Sequence, residues 1–90
     1  MLVSRRYCIS GIVQGVGYRF FTKEMAEKEK VCGFARNLQD GRVEVLAEGE
    51  KDAMTEFERA LWSGPGGAFV DSVSVEEVVS EGLRRFEIRP

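Results

Sequence analysis

Ninety residues with thirteen basic and fifteen acidic side chains, a net charge of −2 and no histidine lack the basic surplus of a general nucleic-acid or membrane-surface binder. A chain of this size buries roughly 60–70% of its unfolded surface and has little stability to spare, so residues 1–90 are read as a single domain. Cys8 and Cys32 show no CxxC spacing, which with the missing histidine leaves a zinc site without its usual ligands.

The cysteines read as small, partly buried thiols in a reducing cytoplasm, with a disulfide between them left open. Arg5-Arg6 followed by Tyr7-Cys8-Ile9 has the look of an export signal, but Gln14 and Arg19 interrupt a short apolar stretch and no small-residue cleavage site follows. The stretch reads instead as a first strand, Tyr7 to Val13. Tyr7, Ile9, Gly11 and Val13 share one face, and Arg6, Cys8, Ser10 and Ile12 share the other. No segment approaches the length of a membrane span.

Gly11-Ile12-Val13-Gln14-Gly15-Val16-Gly17-Tyr18-Arg19 leads from that strand into a helical pattern beginning at Phe20. Glycines allow positive φ values, which let successive N–H groups converge. Converging amides at the start of a helix form a ready anion site, because donors and helix dipole act together. Arg19 adds a planar, permanently charged fork that can grip two phosphate oxygens. Gly-rich turns between strand and helix are nevertheless common, and most bind nothing. The dinucleotide fingerprint fails, since Phe20 stands where a third glycine is expected, and no Walker-type Gly-Lys-Ser/Thr occurs. Arg19 at the loop's end raises the anion-binding reading above the bland one.

The helix is expected from Phe20 to about Lys30, with Phe21, Met25 and Ala26 on its apolar stripe and Lys23, Glu24, Glu27 and Lys28 off it. Phe20, Phe21 and Phe57 are most simply core. Gly33 to Leu38 is a second strand, and Asp40-Gly41 signals a hairpin with a type I′ turn. In the third strand Val43, Val45 and Ala47 alternate with Glu44, Leu46 and Glu48. Arg36 and Arg42 flank the hairpin and read as solvated. A second helix follows from about Lys51 to Trp62, with Ala53, Phe57, Ala60 and Leu61 at core spacing, and Gly64-Pro65-Gly66-Gly67 ends it. Phe69 to Val79 carries a fourth strand with Val73 and Val75 facing the core, and Phe86-Glu87-Ile88-Arg89 a short last one. The order β-α-β-β-α-β plus a final strand predicts an α+β sandwich, two helices on one face of a mostly antiparallel sheet.

The stretch Gly11 to Arg19 resembles the first signature of the acylphosphatases. Gly33-Phe34-Ala35-Arg36-Asn37-Leu38-Gln39-Asp40-Gly41-Arg42-Val43, through to Gly49, is similar to their second. The Gly64-Pro65 loop and the closing Phe86-Glu87-Ile88-Arg89 extend the likeness over nearly the whole chain. The resemblance implies a ferredoxin-like fold and hydrolysis of the mixed carboxylic–phosphoric anhydride bond. It assigns phosphate binding to Arg19 and the N–H groups of Gln14, Gly15, Val16, Gly17, Tyr18 and Arg19, and positioning of the attacking water to Asn37. Relatives often end helix 1 with Ala-x-x-Leu-Gly-Leu, where this chain has Ala26-Glu27-Lys28-Glu29-Lys30-Val31. Without that glycine the favoured left-handed terminator is gone and a different helix ending is expected. Glu29 stands at a position that is apolar in most relatives.

These residues suit the chemistry. A carboxylate with a conjugate-acid pKa of about 4 departs without a general acid. What remains is charge neutralisation on the phosphoryl oxygens and an oriented water. Arg19 and the loop amides suit the first need, and an amide such as Asn37 the second. No cofactor or metal is called for. The implied partners are a small acyl phosphate and the inorganic phosphate it yields, with no nucleic acid and no membrane, acting on a monomer. Without the family, Asn37 would read as a residue beside a turn and Arg19 as a surface partner of Glu24. A catalytically silent phosphate-binding module is the alternative. An RNA binder of the same strand order ranks behind it, since Gly33-Phe34-Ala35 matches only a fragment of the aromatic motif.

Overall fold

The computed structural model describes residues 1–90. In chain order the elements are β1 (Leu2–Ile12), α1 (Tyr18–Glu29), β2 (Cys32–Asn37), β3 (Val43–Glu50), α2 (Lys51–Ser63), β4 (Phe69–Glu77) and β5 (Phe86–Arg89). The strands form one sheet in the order β4-β1-β3-β2-β5. Every neighbouring pair is antiparallel except β2 and β5, which are parallel. Two β-α-β units interleave so that both helices cover one face, a ferredoxin-like α+β sandwich as expected. No helix is long and apolar enough to cross a membrane.

The core lies between helices and sheet. Tyr7 and Ile9 of β1, Val43, Val45 and Ala47 of β3 and Ala35 of β2 meet Ala26 of α1 and Met54, Phe57 and Leu61 of α2. The tyrosine and phenylalanine rings of Tyr7 and Phe57 meet edge-on at 6.3 Å between centroids, a favoured aromatic geometry. β4 is an edge strand, so Val73 packs against the core while Val75 stays exposed. Helix α1 starts two residues earlier than periodicity alone suggests, because Gly17 already takes the left-handed conformation at its N-terminal cap. That shift moves the buried stripe to Tyr18, Thr22 and Ala26, and turns Phe20 outward. Phe20 is thus not a core residue.

The helix ends in the left-handed geometry after all, with Lys30 in place of glycine at φ 59°, ψ 42°. Val31 N–H donates to the Ala26 carbonyl at 2.8 Å and Lys30 N–H to that of Glu27 at 3.3 Å, the bond pair of a Schellman ending. Buried Val31 supplies the accompanying apolar contact. The hairpin also differs from expectation. Gly41 alone has positive φ, at 96°, and Asp40 does not. Leu38 N–H bonds to the Arg42 carbonyl and Gly41 N–H to that of Leu38, which encloses a three-residue loop rather than a two-residue type I′ turn.

The face away from the helices is more buried than alternation predicts. Glu44 and Glu48 of β3 are each only 5% exposed. Glu44 accepts from both Arg6 of β1 and Arg36 of β2, and Arg6 reaches on to Glu76 of β4 at 3.0 Å. Arg36 is therefore an ion-pair partner of Glu44 while staying exposed to solvent, as expected. Burial opposes the charge on Glu44, but the hydrogen bonds from Arg6 and Arg36 outweigh it and hold its carboxyl below the ordinary range. Residues 78–85 join the two edge strands by crossing this face. Val78 N–H bonds to the Ser4 carbonyl, Glu81 N–H to the Glu48 carboxylate, and Gly33 N–H to the Arg85 carbonyl. The crossing lies at the end of the sheet where Ser4 and Cys32 both pair with Glu48. The opposite end, where Asn37 and Ile9 both pair with Val43, is left open.

Candidate active site

At that open end lies a cavity of about 220 Å³ lined by Val13, Gly15, Gly17, Tyr18, Arg19, Phe20 and Asn37. It brings together the loop after β1, the first turn of α1 and the last residue of β2. Of the residues singled out from sequence, Gly15, Gly17, Tyr18, Arg19 and Asn37 line it, whereas Gln14 and Val16 do not.

The loop owes its course to two left-handed glycines. Gly15 has φ 76° and Gly17 φ 77°, values that cost most side-chain-bearing residues strain. Gly17 carries the chain into α1, where Phe21 N–H makes the first intrahelical bond, to the Gly17 carbonyl at 3.0 Å. The N–H groups that precede it in the first turn have no intrahelical acceptor. They make up the positive end of the helix dipole, and no acidic side chain occupies that turn.

Arg19 sits in this turn, half-buried. Its Nη1 donates to the main-chain carbonyl of Arg89 in β5 at 2.9 Å. It takes part in none of the ion pairs, and Glu24 is not its partner. A guanidinium fixed at one corner and free of carboxylates keeps its remaining donors for an anion.

Asn37 approaches from the other side. The ladder of β2 and β3 ends at its pairing with Val43, so its position is set by the sheet and not by a loop. Its Oδ1 is buried and has no hydrogen-bond partner in the protein. A buried carbonyl oxygen left unpaired costs about 1–3 kcal/mol, and in a polar cavity such an acceptor is where a water donates.

Gln14 does something that its place in the loop did not suggest. Its Nε2 donates to the Leu38 carbonyl at 2.8 Å and to that of Arg42 at 2.9 Å. One side chain thus clamps the glycine loop to the hairpin that follows Asn37. The Tyr18 ring turns into the core, and its hydroxyl donates to the Leu61 carbonyl at 2.6 Å. Burial raises that phenol far above its ordinary pKa, so it is neither acid nor base near neutrality.

Sequence reasoning missed the places of Val13, Phe20 and the Arg89 carbonyl. Phe20 had a usable signal. Once the helix is started at Tyr18, two steps of about 100° put Phe20 opposite the buried stripe. The Arg89 carbonyl had none, because any residue supplies one.

Arranged this way, the cavity has a helix N-terminus and a guanidinium on one wall and Asn37 on the other. It suits a compact anion with a water beside it.

The chain resembles known proteins over nearly its whole length. The acylphosphatase family model matches residues 5–88. The acylphosphatase of Pseudomonas aeruginosa is 46% identical over 81 residues, covering 90% of this chain and 89% of that protein. That of Thermotoga maritima is 43% identical over 81 residues, 90% of each chain. A crystal structure of the acylphosphatase from Bacillus subtilis superposes with a TM-score of 0.95 at 43% identity over the full length of both chains. The chain belongs to the acylphosphatase family of hydrolases.

Proposed function

We propose that this chain hydrolyses the carboxyl–phosphate bond of acyl phosphates to a carboxylate and inorganic phosphate, acting as a single domain, with Arg19 and the loop amides holding the phosphoryl group and Asn37 orienting the water. The observation that carries the proposal is that Asn37 lines the same cavity as Arg19 while its buried Oδ1 has no hydrogen-bond partner in the protein. An acceptor oxygen there can take a hydrogen bond from a water and leave that water's lone pair aimed at phosphorus.

In the proposed step the phosphoryl oxygens rest against the free N–H groups around Gly15, Gly17 and Arg19 and against the Arg19 fork. The water oxygen forms a bond to phosphorus as the bond from phosphorus to the acyl oxygen breaks. The carboxylate leaves with that electron pair and needs no proton, being a weak base with a conjugate-acid pKa of about 4. The proton lost by the water passes to a phosphoryl oxygen of the substrate, because Asn37 is no base. Charge stabilisation and positioning carry the rate. Gln14 supports the geometry by tying the loop to the hairpin, and Arg89 by holding Arg19 through its carbonyl.

The test is steady-state release of inorganic phosphate from acetyl phosphate and from an aryl acyl phosphate, run in parallel with a calorimetric titration of inorganic phosphate. Turnover of at least one acyl phosphate together with phosphate binding is expected. Phosphate binding without turnover would instead leave a silent anion-binding module.

A further inference from the structure

We propose that Phe20 seats the acyl part of the substrate and biases this chain toward acyl phosphates with an aromatic or bulky apolar acyl group. The proposal rests on acyl phosphate hydrolysis as the reaction. Phe20 is 69% exposed and yet lines the same cavity as Arg19 and Asn37. Its outward position is not a demand of folding, since the stripe Tyr18, Thr22 and Ala26 already buries the helix. Val13 and Tyr18, the other apolar residues of the lining, are each 1% exposed. Phe20 is therefore the apolar surface that the cavity presents to an incoming molecule.

The acyl carbon is separated from phosphorus by one bridging oxygen, so the acyl group must lie against whatever wall adjoins the phosphate. Phe20 follows Arg19 directly in the first turn of α1 and is itself part of the cavity lining. An aryl group can stack on the ring or meet it edge-on, a contact that adds to simple burial. A methyl group covers little of the ring, and a charged acyl group would lose water there without a partner.

The experiment compares kcat/KM for benzoyl phosphate and acetyl phosphate in the wild type, Phe20→Ala and Phe20→Trp. Alanine is expected to lower the benzoyl-to-acetyl ratio about three- to tenfold, mainly by raising KM for benzoyl phosphate. Tryptophan is expected to keep or increase the ratio, because it restores a larger aromatic face. An unchanged ratio in the alanine variant, or an equal loss for both substrates, would overturn the role of Phe20. A wild type that turns over neither compound would overturn the reaction itself, whereas a wild type active on both with a ratio indifferent to residue 20 overturns the Phe20 proposal alone.

Discussion

Arg19 Nη1 donates to the main-chain carbonyl of Arg89 at 2.9 Å, so the last strand of the chain steadies a guanidinium in the first turn of the first helix. One donor is spent on position and the rest of the planar fork stays available. A lysine at this place has a single ammonium on a flexible stem and cannot satisfy the carbonyl while presenting two parallel donors. Arg19→Lys is expected to lower kcat/KM for an acyl phosphate at least about tenfold, in line with the ~1.5–3 kcal/mol of a charge-assisted hydrogen bond. A lysine variant with wild-type kcat/KM contradicts the role of the fork.

Gln14 tests the coupling between the two walls. In Gln14→Leu both bonds to the hairpin vanish, although the Leu38 and Arg42 carbonyls each keep a main-chain donor. The expected loss of stability is therefore modest, about 1 kcal/mol by urea denaturation. Turnover should fall more than phosphate affinity, because the loop stays intact while its register with Asn37 loosens. Equal losses in kcat and in phosphate affinity would place Gln14 in the anion site alone.

Gly17 and Gly33 are required for different reasons. A Cβ at Gly17 would meet nothing within 4 Å, yet φ is 77°. A Cβ at Gly33 would lie 1.8 Å from the Leu46 carbonyl oxygen at φ 152°. Gly17→Val should thus leave most of the fold and abolish measurable phosphate binding by reshaping the loop. Gly33→Ala should cost about 3 kcal/mol or more, since sheet backbone cannot retreat cheaply. Thermal unfolding and phosphate titration of both variants separate the two effects.

Much of the fold is legible because it rests on period and punctuation. Alternation in Val43 to Ala47, the Gly64-Pro65 stop and the closing Phe86 to Arg89 need only local rules. What escapes is set by long-range partners. Glu44 alternates as a solvent-facing residue, but Arg6 and Arg36 come from strands on either side of β3 to bury it. Lys30 takes a backbone conformation that propensity reserves for glycine, held there by the bonds that Lys30 and Val31 make to the preceding turn. In the cavity, the glycines, Arg19 and Asn37 stand out by motif. The Gln14 clamp and the outward Phe20 depend on where the loop and helix start in space, which Gly17 decides.

Glu44 yields a pH prediction. Its folded pKa lies below the ordinary value, so its contribution to stability is complete above about pH 4.3 and is lost as pH falls through the depressed value. Glu44→Gln should cost about 1–3 kcal/mol at pH 7. The gap between wild type and variant should narrow as pH falls below about 4.3, because the unfolded chain then takes up the proton before the folded carboxyl does. Denaturant midpoints measured at pH 7 and pH 3 check this, and a gap that does not narrow with acid would contradict it.

The most direct measurement concerns Asn37, which lines the cavity, whose buried Oδ1 has no partner in the protein and whose backbone belongs to β2 rather than to the glycine loop. Asn37→Ala should bind inorganic phosphate with a Kd close to that of the wild type, while kcat for an acyl phosphate falls about a hundredfold or more as the water loses its orientation. Both enzymes should be assayed with excess chelator, and the wild type should be indifferent to it. Wild-type kcat in the alanine variant, or loss of phosphate affinity in step with loss of turnover, would contradict the division of labour between the anion-holding loop and Asn37.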